Sequence, residues 1–234
     1  FHENGFVVLR NLLDARQLDE LRSEIDRIAR DHDKLAAIRE GFDIEPRQDP
    51  SRPVPSFRKI GGIVELSDAF HRHMKHPTIV DLLHRITGSD YIELFRDVVM
   101  MKPARVGREK PWHQDSVYWP VRPMALVSTW TALDDATLEN GCMQVIPGSH
   151  REQVQHYGGE LRIDLTPEQQ ANTWAVPMEA GDVLLFHSLC LHASQPNRSD
   201  RDRRGCIMSY RPGNTEYLEG RAPQTPIVVS DRRA

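Results

Sequence analysis

His113 and Asp115 stand two residues apart in Trp112-His113-Gln114-Asp115, and His192 follows 79 residues after His113. If the three share one ion, the chain must leave and return so that distant segments lie side by side. Residues i and i+2 of an extended segment point to one face, so His113 and Asp115 can reach a common ion while Gln114 turns away. A separation of this length holds several strands, as a jelly-roll topology requires. Two imidazoles and a carboxylate on one face of an ion leave the opposite positions open, the arrangement of non-haem Fe(II) oxygenases. Such a triplet arises easily by accident in a chain with 11 histidines. Its context strengthens it: Trp112 precedes, Tyr118 and Trp119 follow, and a run of small residues carries His192.

The rest of the chain suits such a plan. Asp14 with Gln17 forms a capping-box pattern, and Leu18, Leu21, Ile25 and Ile28 then mark one helical face. Pro77 suits a first helical turn, Ile79, Leu82, Leu83 and Ile86 give an apolar side, and Gly88 gives a stop. Residues 34–56 are polar and hold Pro46, Pro50, Pro53 and Pro55, which predicts a mobile loop able to act as a lid. Strand patterns follow at 91–101, 126–133, 142–146, 183–186 and 205–210. Helices first and short strands afterwards predict an α+β fold with an antiparallel barrel or sandwich. No linker divides the chain, so residues 1–234 read as one domain.

Composition removes several classes. A net charge of −4 argues against a nucleic-acid binder. No apolar run reaches the roughly 20 residues of a membrane helix. Cys142, Cys190 and Cys206 are odd in number and fit no zinc ribbon, which predicts reduced core thiols and a cytoplasmic setting. Oligomeric state is left open.

Four stretches in order carry a more specific likeness: 1–10 (FHENGFVVLR), 111–119 (PWHQDSVYW), 130–150 (WTALDDATLENGCMQVIPGSH) and 181–204 (GDVLLFHSLCLHASQPNRSDRDRR). Together they resemble the phytanoyl-CoA dioxygenase family of Fe(II)/2-oxoglutarate oxygenases. The resemblance implies a double-stranded β-helix (jelly roll, cupin-like) behind N-terminal helices. It implies His113, Asp115 and His192 as iron ligands, with O2 and 2-oxoglutarate as co-substrates. It places the arginine that grips the far carboxylate of 2-oxoglutarate eleven residues after the distal His, at Arg203. A planar guanidinium suits that task because it forks onto a carboxylate. Arg204 points the other way if the segment is a strand, and a register error of one residue exchanges the two. Ser194, Lys59 and Trp130 match family positions in the same pocket, with a solvated surface lysine and plain core packing as the other readings of Lys59 and Trp130. His187 and His150 read as structural, and Lys102 has no assigned chemistry.

The implied function is hydroxylation of a small organic molecule with release of succinate and CO2. Related halogenases carry Ala or Gly at the carboxylate position, so Asp115 favours hydroxylation. Ring formation, desaturation and epoxidation share the same iron chemistry and stay open. A non-catalytic cupin-like binder of metal or ligand, or a zinc hydrolase, leaves an arginine clamp unexplained. Tyr118, Trp119, Met143, Phe57 and Arg58 are the expected substrate contacts. Arg96 and Asp97 interrupt an apolar strand, and a structural role is favoured for that pair over a substrate contact or an exposed edge.

Overall fold

A computed structural model describes residues 1–36, 40–158, 161–221, 223 and 225–233, with backbone only at Tyr118. Asp14 caps the helix Ala15–Arg30 through both arms of the capping box, and the Leu18, Leu21, Ile25, Ile28 face is buried. Pro77 opens the helix Pro77–Thr87, and Gly88 ends it at φ 64°, where glycine carries no steric penalty. The helix Asp68–Met74, not anticipated from the sequence, adds Phe70 and Met74 to the core.

The strands form two main sheets. The larger runs Phe6–Leu9, Val183–His187, Val127–Ala132, Arg203–Pro212, Tyr91–Lys102, Phe57–Gly61, Phe42–Ile44, with Ile227–Asp231 also paired to Tyr91–Lys102. The smaller runs Lys110–His113, His192–Ser194, Met143–Val145, Trp174–Val176. Every pairing in both sheets is antiparallel. This is the jelly roll of an α+β protein, with helices packed on the outer face of the larger sheet.

Period-two alternation decides which side chains meet. Val183 and Leu185 join the helices, whereas Leu184 and Phe186 turn toward the smaller sheet. On Arg203–Pro212, Cys206, Met208 and Tyr210 join the helix side, which turns residues 203, 205 and 207 inward. A slip of one residue would send this apolar set to the wrong face, at about 25 cal/mol for each Å² of apolar surface returned to water. Burial of both faces therefore locks the register that aims the site residues.

Residues 34–56 differ from the predicted loop. The helix His32–Ala36 enters the segment, and Phe42–Ile44 adds a strand to the edge of Phe57–Gly61. Arg52 grips Asp202 through both nitrogens at 2.8 and 2.5 Å, and Glu45, 2% exposed, receives Arg108 Nε at 2.7 Å. The prolines punctuate the segment, but distant partners order it. Residues 37–39 lie outside the description.

Candidate active site

The Lys110–His113 strand pairs with His192–Ser194 so that His113 and His192 stand opposite each other. Their ring centroids are 4.1 Å apart. Asp115 is not on the strand, as a strictly extended reading of the triplet required. The strand ends at His113, and Asp115 opens a short 3₁₀ turn, Asp115–Tyr118. Gln114 stays extended at φ −109°, ψ 137°, so the alternation survives far enough to bring Asp115 back to the histidines. Asp115 Oδ1 lies 3.7 Å from His113 Nε2 and 4.0 Å from His192 Nε2. One ligating atom from each residue falls within 4.8 Å of the others.

Neighbouring groups set how these side chains present themselves. Nδ1 of His113 donates to the Pro111 carbonyl at 2.8 Å, and Nδ1 of His192 to the Cys190 carbonyl at 2.9 Å. A carbonyl only accepts, so each Nδ1 bears the proton and each Nε2 offers a lone pair to the common point. Burial, and the neighbouring His113, push the His192 imidazole down to about 4, so it is neutral at neutral pH. Burial acts to raise the Asp115 carboxyl, but its close neighbours His113, His192 and Arg96 outweigh that and lower it, so the group is ionised at neutral pH. Gln114 is fully buried on the other side. Its amide donates to the Glu152 and Leu189 carbonyls at 2.7 Å each and accepts from Val154 N–H at 3.0 Å, pinning the turn.

The three residues line a cavity of about 760 Å³. Arg203, Ser194, Lys59, Trp130, Trp119, Met143 and Arg58 line it as well. Arg203 is 2% exposed, its guanidinium lies 5.1 Å over the Trp130 ring, and Nη2 donates to the Gly141 carbonyl at 3.0 Å. Its Nε is buried without a hydrogen-bond partner among the described residues. Burial pulls the guanidinium down to about 10, still cationic at neutral pH. Gly205, two positions along the same face, makes room: a Cβ there would overlap the Trp130 ring. Arg204 points to the helix side, where Asp134 takes it at 2.8 and 2.9 Å and Asp26 at 3.2 Å.

Other expected positions fall elsewhere. Phe57 is 2% exposed in the helix-side core against His32 and Phe42, and does not line the cavity. A bulge at Arg58 breaks the alternation of the strand it begins, so Lys59, two positions on, lines the cavity while Phe57 does not. The side chain of Tyr118 lies outside the described residues. His187 and His150 face each other at 5.5 Å beside Phe1, apart from the three-residue cluster.

Lys102 and Arg96 are among the cavity residues that were not predicted as site residues. Lys102, 6% exposed, donates Nζ to the Arg108 and Ser194 carbonyls at 2.5 and 3.4 Å. Arg96 Nη1 comes within 4.0 Å of Asp115 Oδ1. Asp97, its neighbour, accepts from Val64 N–H at 2.7 Å, so the structural role expected of the pair belongs to Asp97. The charge in an apolar strand was the visible signal; the direction it points was not.

The family model for phytanoyl-CoA dioxygenase (PhyH) matches residues 1–205. The chain belongs to the phytanoyl-CoA dioxygenase family. The peroxisomal phytanoyl-CoA dioxygenase of Bos taurus is 28% identical, over 94% of this chain and 68% of the relative. Among solved structures, the epimerase SnoN in complex with Fe3+, alpha ketoglutarate and nogalamycin RO superposes with a TM-score of 0.73 at 24% identity, over 93% of this chain and 82% of that one. EctD from S. alaskensis with 2-oxoglutarate and 5-hydroxyectoine gives a TM-score of 0.73 at 23% identity, over 90% and 73%. At these identities the structural likeness carries the fold, and family membership with the His113, Asp115, His192 cluster carries the class. The protein is a non-haem iron, 2-oxoglutarate-dependent oxygenase. No helix among the described residues is long and apolar enough to cross a membrane.

Proposed function

We propose that this phytanoyl-CoA dioxygenase family member hydroxylates an unactivated C–H bond of a small organic molecule, and that residues 1–234 form one catalytic domain. The carrying observation is the convergence of three ligating atoms within 4.8 Å beside a buried arginine with an unpartnered Nε. Two imidazoles and an ionised carboxylate fit Fe(II). A buried guanidinium nitrogen without a partner is what a carboxylate would satisfy.

His113, Asp115 and His192 hold the iron in this reading. When bound, the iron with O2 and 2-oxoglutarate supplies the oxidation of the C–H bond, coupled to conversion of 2-oxoglutarate into succinate and CO2. Arg203 grips the distal carboxylate, Trp130 sets the guanidinium plane, and Ser194 and Lys59 complete the polar wall. The walls exclude water, and Trp119, Met143 and Arg58 orient the substrate. Placement of the substrate hydrogen selects hydroxylation over ring formation, desaturation or epoxidation. The three buried, unpaired cysteines support a reducing compartment, the cytoplasm.

The test is release of CO2 from 2-oxoglutarate labelled at its first carbon. Release that needs Fe(II) and O2 and vanishes in Asp115→Ala is expected. Release that persists in Asp115→Ala would remove the proposed metal site from the reaction.

A further inference from the structure

The cavity has two ends, and only one is used by the proposed co-substrate. Tyr91–Lys102 and Arg203–Pro212 run side by side along its wall, with Lys102 opposite Arg203 and Arg96 opposite Ser209. Six residues of strand, about 20 Å, separate those positions. Arg203 is sealed at 2% exposure, whereas 37% of the Arg96 side chain is exposed. Arg96 therefore stands beside the three-residue cluster with part of its side chain open to solvent.

Unbroken alternation from Lys102 through Met100 faces Arg96 inward, and a break in the ladder just beyond it sets an aromatic beside it. Ser209 pairs with Arg96 and Tyr210 pairs with Leu94, so Phe95 is an extra residue without a partner. A bulge of this kind disturbs the alternation and re-aims side chains, and such breaks gather beside active sites. Here both Phe95 and Arg96 line the cavity, which strict alternation forbids for neighbours. Phe95 packs edge-on against Trp119 at 5.2 Å and stacks on Tyr217 at 6.0 Å. An apolar wall thus adjoins a cation.

Charge points the same way. In a chain with net charge −4, Lys and Arg outnumber Asp and Glu seven to three among the described lining residues. One of those three, Asp115, is committed to the proposed metal. The excess remains even with Lys102 uncharged.

We propose that Arg96 is a substrate-recognition residue that takes a carboxylate of the prime substrate, whose apolar body lies along Phe95 and Trp119. The assignment rests on the oxygenase reading above and deepens it: the substrate class is an organic acid with an apolar, flat or branched body. A carboxylate so held sits beside Asp115, which puts the carbon chain of the acid within reach of the site. The first carboxylate of 2-oxoglutarate presents the same chemistry, and the sealed position of Arg203 against the open position of Arg96 favours the prime substrate.

The experiment uses Mn(II)-loaded protein with 2-oxoglutarate and two probes, 3-phenylpropanoate and 3-phenylpropanamide, followed by calorimetry. The acid should bind about tenfold or more tightly than the amide, the scale of one charge-assisted pair. Arg96→Gln should erase that preference and leave 2-oxoglutarate affinity within about twofold. Arg96→Lys, which keeps the charge without the fork, should narrow the preference and serves if the Gln variant does not fold. Equal binding of acid and amide to the unaltered protein, or binding of neither, overturns the proposal. A loss of 2-oxoglutarate affinity in Arg96→Gln equal to the loss for the acid also overturns it, assigning Arg96 to the co-substrate. Failure of the oxygenase reading shows separately, as absence of metal-dependent 2-oxoglutarate binding in the unaltered protein.

Discussion

Arg203 and Arg96 lie six residues of strand apart along one strand pair and could hardly be placed more differently. Arg203 is sealed, stacked on Trp130 and short of one hydrogen-bond partner. Arg96 is partly exposed and shares its stretch of cavity wall with Trp119 and with Phe95, the bulged residue. A closed end fits one small ligand of fixed size, and an open end can be remodelled for many. In the proposed reading, the contrast separates the part of the cavity that holds the co-substrate from the part that selects the prime substrate.

The largest effect should come where the two ends meet. Asp115→Ala leaves two imidazoles without their carboxylate, and iron-dependent turnover should fall on the order of a thousandfold, equivalent to about 4 kcal/mol of lost stabilisation. Retained iron content by metal analysis, with retained turnover, would show that another carboxylate serves.

Arg203→Ala should weaken 2-oxoglutarate about a hundredfold, since it removes charge-assisted bonds worth about 1.5–3 kcal/mol each. Iron affinity should change little. Calorimetry of both ligands checks the split, and equal losses would mean that the closed end holds the site together rather than the co-substrate.

Gly205→Ala sharpens the comparison without touching any charge. The added methyl would overlap the Trp130 ring and should lower stability by about 1–3 kcal/mol. It should also weaken 2-oxoglutarate binding, by displacing the platform under Arg203, and leave the acid preference of the Arg96 end intact. Denaturant unfolding and the calorimetric assay read the two effects.

The smallest effect is a pH slope. Burial, with repulsion from Arg203 and Arg58, lowers the Lys102 ammonium to about 6, partly opposed by Glu45 and Glu109. Between that value and its usual 10.5, the unfolded chain binds a proton that the folded chain does not. Stability from this group therefore rises with pH across that window, by up to about 1.4 kcal/mol per unit. Lys102→Met should flatten the slope, measured as unfolding midpoints from pH 6.5 to 9 (roughly the accessible part of the window). An unchanged slope would mean Lys102 stays charged in the fold.

Local signals were legible in the sequence wherever they were complete in themselves. The Asp14–Gln17 cap, the Pro77 start and the Gly88 stop all depend on near neighbours, and all three form. The His113, Asp115, His192 cluster was legible because motif and spacing survive without knowledge of the fold. Alternation separated Arg203 from Arg204 once the strand was in place. Phe57 was misjudged because its direction depends on the strand it begins, and the 34–56 segment because Arg52 finds Asp202 across 150 residues. The bulge at Phe95 was invisible for the same reason: it exists only as a mismatch between two strands far apart in the chain.

His113, Asp115 and His192 are proposed to hold Fe(II) while Arg203 holds 2-oxoglutarate upon it. The most direct measurement is the visible absorption of the protein with Fe(II) and 2-oxoglutarate in the absence of O2. A broad charge-transfer band is expected, lost in Asp115→Ala and needing far more 2-oxoglutarate in Arg203→Ala. A folded, iron-loaded protein that shows no such band at saturating 2-oxoglutarate would contradict it.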